Sequence, residues 1–253
     1  MLGKASARPT PPAVISSADN ELVKRLRRLG GERPPGELLL EGPRVIRQAL
    51  AAGVKLELLA VREGDDFAFE ADRAVTLTRG VFRTVARTEH PQGVVAIGRR
   101  SEASFAEALA AARAARWPLV VLDRVQDPGN VGAIARSAAA AGAPALALLE
   151  GTADPFGPKA VRASAGHVFN LAVARAGGAD LAGLRCLGAG VDGQPLDEVD
   201  LAGAEALVLG SEAHGLSREL PKVALPMAPG VESLNVAAAA AILLYEIRRR
   251  RDW

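Results

Sequence analysis

The chain has 253 residues, 49% of them hydrophobic and 24% charged, which suffices for one large domain or two small ones with their own cores. Basic and acidic residues nearly balance at 31 to 29, yet residues 1–116 carry 19 basic and 14 acidic groups (net +5) and residues 117–253 carry 12 and 15 (net −3), so a polyanionic partner is expected for the N-terminal half. One cysteine and three histidines exclude a disulfide framework and a Cys/His zinc site, no apolar run is long enough to span a membrane, and residues 1–12 hold no hydrophobic stretch resembling a signal peptide, so a soluble cytoplasmic protein is expected.

In chain order, residues 1–13 hold Pro9, Pro11 and Pro12 and read as a disordered tip. Asp19 or Asn20 can cap a basic amphipathic helix through Leu29, with Leu22, Leu26 and Leu29 on one face. A strand over 38–40 leads through Glu41-Gly42-Pro43 into a helix ending near Ala52, and strands follow over 56–61, 75–77 and 93–97, with a short helix over 80–86. This alternation predicts a small α/β domain over 14–98. Residues 99–117 read as an alanine- and arginine-rich linker helix, ended by Pro118.

The second domain, 118–253, repeats strand and helix: strands over 119–122, 145–149, 184–188, 206–209 and 223–225, and helices after Asn130, after Pro158 and over 234–251. Such alternation predicts a parallel sheet with helices on both faces, whose ligands sit beyond the carboxyl ends of the strands. Three of those ends are rich in chemistry. They are Asp123 to Gly132 with Arg136 beyond, Gly210-Ser211-Glu212-Ala213-His214-Gly215-Leu216, and Pro226-Met227 through Glu232-Ser233-Leu234-Asn235. Each sets glycines beside a few polar side chains, which leaves backbone groups free to face one crevice.

Gly188-Ala189-Gly190-Val191-Asp192-Gly193 matches the dinucleotide spacing G-x-G-x-x-G, but Gln194-Pro195 follows where a helix should start, so it reads as a turn. Cys186 reads as a buried small hydrophobe, His90 and His167 have no identifiable acid or serine partner, and His214 sits in the Glu212 loop within reach of a ligand.

Asn130-Val131-Gly132-Ala133-Ile134-Ala135-Arg136, the Gly210–Leu216 loop and the Pro226 to Ala237 segment resemble, in order and spacing, the three motifs of the SpoU (TrmH-type) family of RNA ribose 2′-O-methyltransferases. Lys159 to Gly166 resembles the segment between the first two motifs. Leu40-Glu41-Gly42 and Thr88-Glu89-His90-Pro91-Gln92-Gly93-Val94 resemble the family's ribosomal-protein-like substrate-binding domain. The resemblance implies a SPOUT-type trefoil-knotted methyltransferase domain, an exception to the usual rule against knots, with S-adenosylmethionine as cofactor and a homodimer as the working form. It implies a cofactor site at Leu209, Gly210, Ser211, Glu212, Gly215, Leu225, Met227, Ser233, Leu234 and Asn235. Ala237 stands where many relatives carry serine.

Arg136 takes the place of the family's catalytic arginine, with Asn130, Glu212, Ser233 and Asn235 orienting it and the target ribose. A guanidinium holds its proton tightly, so the role read for Arg136 is to orient the nucleotide through phosphate rather than to act as a base. No metal is implied. RNA contact is expected from Lys24, Arg25, Arg27 and Arg28, joined by Arg44, Arg47, Arg83 and Arg87, and with aromatics at only 4% it should rest on shape and backbone. The expected substrate is structured RNA, 23S rRNA ahead of tRNA. A non-catalytic RNA-binding protein and a nicotinamide enzyme are the competing classes.

Overall fold

The computed structural model describes residues 13–31, 33–211 and 214–251. The expected disordered tip lies outside the described residues except for Ala13, which opens a strand that sequence patterning missed: β1 (Ala13–Ile15). Asn20 then caps α1 (Glu21–Leu29), its side chain accepting the Leu22 N–H, and Val23, Leu26 and Leu29 are buried. There follow β2 (Glu37–Glu41), α2 (Pro43–Ala51), β3 (Lys55–Arg62), β4 (Arg73–Leu77), α3 (Arg79–Val85) and β5 (Val94–Arg99).

The five strands make one mixed sheet in the order β1-β4-β3-β5-β2. Side chains alternate across a strand, so both faces of this sheet are apolar. Leu39, Val95 and Ile97 face α1 and α3 through Leu26, Leu29 and Phe82. Leu38, Leu40, Val94 and Ala96 belong to a second core that includes α2 and runs on into the C-terminal half through Phe156, Val168 and Phe169. The two halves therefore share apolar packing.

The helix expected over 99–117 is shorter, α4 (Phe105–Ala114). Ser104 and Glu107 form a capping box that fixes its start, and its buried Ala108 and Ala112 lie against the sheet of the second half. That sheet comprises β6 (Leu119–Asp123), β7 (Ala145–Leu148), β8 (Ala172–Arg175), β9 (Cys186–Pro195), β10 (Ala206–Gly210) and β11 (Lys222–Ala224). All its pairings are parallel, in the order β11-β9-β10-β6-β7-β8, as expected for helix-covered strands. The helices are α5 (Pro128–Ala141), α6 (Pro158–Ala163) and α7 (Val236–Arg250). Gly132 lets α5 and α6 touch: a Cβ there would lie 2.3 Å from the Ala160 carbonyl oxygen.

Polar contacts fix the junction of the halves. Arg33 donates to both carboxylate oxygens of Asp154 at 3.0 Å. Arg100 donates to the Phe169 and Leu171 carbonyls, its guanidinium within 6 Å of the stacked Phe156 and Phe169 rings. Gln48 of α2 donates to Asn170 at 3.0 Å.

Candidate active site

The carboxyl ends of β9, β10 and β11 and the first turns of α7 enclose a cleft of about 410 Å³, within the size range of cofactor sites. Eight residues expected at the cofactor line it: Leu209, Gly210, Ser211, Gly215, Leu225, Met227, Ser233 and Leu234. Glu212, the ninth, lies outside the described residues. Asn235, the tenth, sits at the head of α7 and is not part of the lining.

The loop after β10 folds back on itself. The Ser211 N–H donates to the Gly215 carbonyl at 3.1 Å and the Gly215 N–H donates back to the Ser211 carbonyl at 2.8 Å. Gly210 is required by this pinch, because a Cβ would stand 2.6 Å from the Gly215 carbonyl carbon and oxygen. Below the loop, the buried Asp123 at the end of β6 accepts the Ser217 N–H, tying the two strand ends together.

Asn130 and Asn235 join the first and third motifs. Asn235 Oδ1 accepts the Ala237 and Ala238 N–H groups at 3.0 and 3.3 Å and so caps α7, while its Nδ2 donates to Asn130 Oδ1 at 3.1 Å. Asn130 stands in the first turn of α5, where Asp127 accepts its N–H as cap. The neighbouring Lys159 ammonium holds the Asp127 carboxyl below the usual carboxylate range.

Arg136 lies six residues further along α5, about 9 Å of helix rise, on an exposed face outside the cleft lining. Its surroundings include His167 and, from the N-terminal domain, Arg44. Burial lowers the His167 pKa, and the charges of Arg136 and Arg44 lower it further. The structure thus brings eight of the ten residues expected at the cofactor together in one cleft and sets Arg136 outside it, near Arg44 and His167.

The remaining expectations divide. Gly188 to Gly193 is no turn: β9 runs through it to Pro195, and a 3₁₀ segment, Leu196–Glu198, follows instead of an α-helix. Ala189, Gly190, Val191 and Asp192 line the cleft beside Lys222, which pairs with Asp192 at 2.7 Å, and sequence reasoning missed all of them. The available signal was position, at the carboxyl end of a sheet strand, which the resemblance to a dinucleotide fingerprint masked. Cys186 is half-buried rather than buried, and burial raises its pKa. His214 is exposed and not part of the lining.

Among the basic residues expected at RNA, Lys24 pairs with Glu21 at 2.8 Å. Arg25 is turned inward, held by Glu57 and Glu37, and its ion pair with Glu57 keeps that carboxyl at about 2. Arg27 is partly buried, while Arg28, Arg44 and Arg47 are exposed. Among the described residues no group of His, Cys, Asp and Glu could hold a metal ion, and no helix is long and apolar enough to cross a membrane.

Comparison with known proteins connects this geometry to a family. The profile of the SpoU rRNA Methylase family matches residues 118–245, and that of the MRM3-like substrate binding domain matches residues 20–96. The chain is 32% identical to the 23S rRNA (guanosine(2553)-2′-O)-methyltransferase RlmP of Bacillus subtilis, over 92% of this chain and 98% of that one. The AdoMet-bound rRNA methyltransferase of Sinorhizobium meliloti superposes with a TM-score of 0.78 at 29% identity, covering 94% of this chain and 97% of that one. The SpoU methyltransferase AviRb of Streptomyces viridochromogenes, in complex with AdoMet, gives 0.77 at 26% identity, covering 92% and 99%. With a catalytic-domain match over half its length and a relative similar from end to end, the chain belongs to the SpoU rRNA methylase family.

Proposed function

We propose that this S-adenosylmethionine-dependent RNA methyltransferase methylates a ribose 2′-hydroxyl in 23S rRNA. The observation that carries the reading is the cleft of about 410 Å³ at the ends of β9, β10 and β11, with the Asn130–Asn235 hydrogen bond beside it. The residues present suit the cofactor. Leu209, Leu225, Met227 and Leu234 offer apolar walls for a planar base, and the close approach of Gly210 to Gly215 leaves backbone groups at the surface. When bound, S-adenosylmethionine supplies a methyl group already activated on a sulfonium.

The chain must then position the ribose oxygen and help move one proton. Arg136 orients the target nucleotide through its phosphate. Asn130 and Asn235 hold the heads of α5 and α7 in register, Ser233 adds a polar group to the pocket, and Glu212 keeps the orienting role that its motif implies. Residues 118–253 carry the methyl transfer and residues 14–98 grip the RNA, joined by residues 99–117. Support for 23S rRNA over tRNA comes from the relative named for 23S rRNA, which covers nearly the whole chain. An rRNA substrate implies work in the cytoplasm. The threading of the C-terminal chain into a trefoil knot is part of the same reading, supported by three separate segments closing on one cleft.

The reading also includes a homodimer. Ile242 and Tyr245 lie exposed on α7, 44% and 56% accessible, a natural place for a second copy; a dimer mass in light scattering is expected. The direct test uses tritiated cofactor and unmethylated 23S rRNA. Label should appear on a ribose 2′-oxygen and be lost in Arg136→Ala, while calorimetry finds cofactor binding retained. Full activity in Arg136→Ala would remove it from the chemistry.

A further inference from the structure

A second hollow, of about 570 Å³, opens on the N-terminal domain between the end of β3, α3 and the 86–93 loop. Arg62, Arg79, Arg83, Thr88, Glu89 and His90 line it around the buried ring of Phe82. Arg62 is part of the frame: its Nε donates to Asp65 at 2.6 Å and its guanidinium lies 5.9 Å from the Phe82 ring centroid.

Arg79 and Arg83 are different. Both are exposed, they stand four residues apart on α3, and among the described residues neither has a hydrogen-bond or ion-pair partner. Like charges at that spacing oppose the helix that carries them. An anion bound between them turns the repulsion into attraction.

The opposite wall is built in place. The buried Glu41 carboxylate accepts the Arg87 and Thr88 N–H groups at 3.0 and 3.3 Å and the Thr88 hydroxyl at 2.6 Å. Leu40-Glu41-Gly42 and Thr88-Glu89-His90, far apart in sequence, are therefore one unit, which holds His90 and Thr88 at the hollow. The same carboxylate lies 4.0 Å from Arg162 on α6 of the methyltransferase domain. Three residues after Glu41 comes Arg44, whose charge reaches His167 together with that of Arg136.

We propose that this hollow binds phosphodiesters of the RNA substrate, with Arg79 and Arg83 pairing to backbone phosphates and Thr88 and His90 hydrogen-bonding the adjoining sugar–phosphate. The inference rests on the reading that the chain acts on RNA, and of the basic residues expected at RNA it makes Arg83, joined by Arg79 and the 86–93 loop, the main grip in place of α1. No exposed Phe, Tyr or Trp lines the hollow, and its side chains are mostly cationic or hydrogen-bonding, which suits backbone contact over base reading. Its part is register: it fixes how the RNA lies before the target ribose meets Arg136.

Filter binding of an unmethylated 23S rRNA transcript, read between about 50 and 200 mM salt, tests this. R79Q/R83Q should lower the slope of log affinity against log salt by about two, one per lost phosphate contact. It should raise KM for RNA roughly tenfold or more at the low-salt end, with kcat at saturating RNA, cofactor affinity and melting temperature retained. K55Q/R73Q removes the same charge at the opposite end of β3 and β4 and should leave the slope unchanged. An unchanged slope in R79Q/R83Q, or an equal fall in K55Q/R73Q, overturns the proposal. Binding is read without turnover, so a wild type that grips the transcript through these arginines yet transfers no methyl group refutes the functional reading and sustains the site.

Discussion

Asn235 does two jobs with one amide, and they can be separated. Its oxygen caps α7 and its nitrogen donates to Asn130. Asn235→Asp keeps the acceptor, and a negative charge suits a helix N-terminus, but the donor to Asn130 is lost. The expected result is a melting temperature at or above that of the wild type with methyl transfer strongly reduced. Asn235→Ala loses both, with about 1 kcal/mol of stability gone as well. Equal activity in Asn235→Asp and wild type would remove the amide bridge from the mechanism. The placement of such residues was legible in the motif resemblance because glycine, asparagine and serine cluster at strand ends. Ala189, Val191 and Lys222 were not, since nothing in an alanine or a valine announces that its strand borders a cleft. Arg25 misled for a related reason: a cation in a basic run looks solvent-facing until Glu57 and Glu37, from two other strands, are seen to enclose it.

At the scale of elements, most were readable, from the long α1, α5 and α7 down to the three residues of β11, but β1 and β8 were not. β1 has three residues and β8 four, with too little alternation to stand out, and they exist because β4 and β7 offer them a free edge. α4 starts later than its sequence estimate because Ser104 and Glu107 form an N-terminal capping box. The tie between α1 and the sheet rests on charge as well as packing. Glu57 of β3 titrates at about 2 in the folded protein, below its ordinary 4.5, because Arg25 and Arg99 stabilise its charged form. A lowered carboxylate pKa adds stability above pH 4.5 that is lost as pH falls towards 2. Glu57→Gln should therefore melt below wild type at pH 7, and the gap should close on acidification through that window. A gap independent of pH would show that Glu57 contributes packing alone.

The whole molecule is two sheets with a common apolar seam rather than two beads on a string. Arg100 is central to the seam. Burial lowers its pKa, and it serves two carbonyls and two stacked rings at once. Arg100→Ala strands those carbonyls and should cost about 2–4 kcal/mol. Calorimetry should then find two unfolding transitions where the wild type has one; a single transition at the wild-type temperature would mean that apolar contacts alone join the halves. A rigid seam also suits the proposed register, because it holds the α3 hollow and Arg136 at a fixed separation.

The same seam sets a timetable for synthesis. The N-terminal sheet is complete once Arg99 has emerged from the ribosome, with α2 already covering part of its second face, but the rest of that face waits for Phe156, Val168 and Phe169, up to roughly 70 residues later. At synthesis rates of about 5–20 residues per second, the uncovered part of that face stays exposed for about 4–14 s in every nascent chain. A holdase chaperone should find its target on this protein there, on the half-built sheet, and should release it when residues 156–169 arrive.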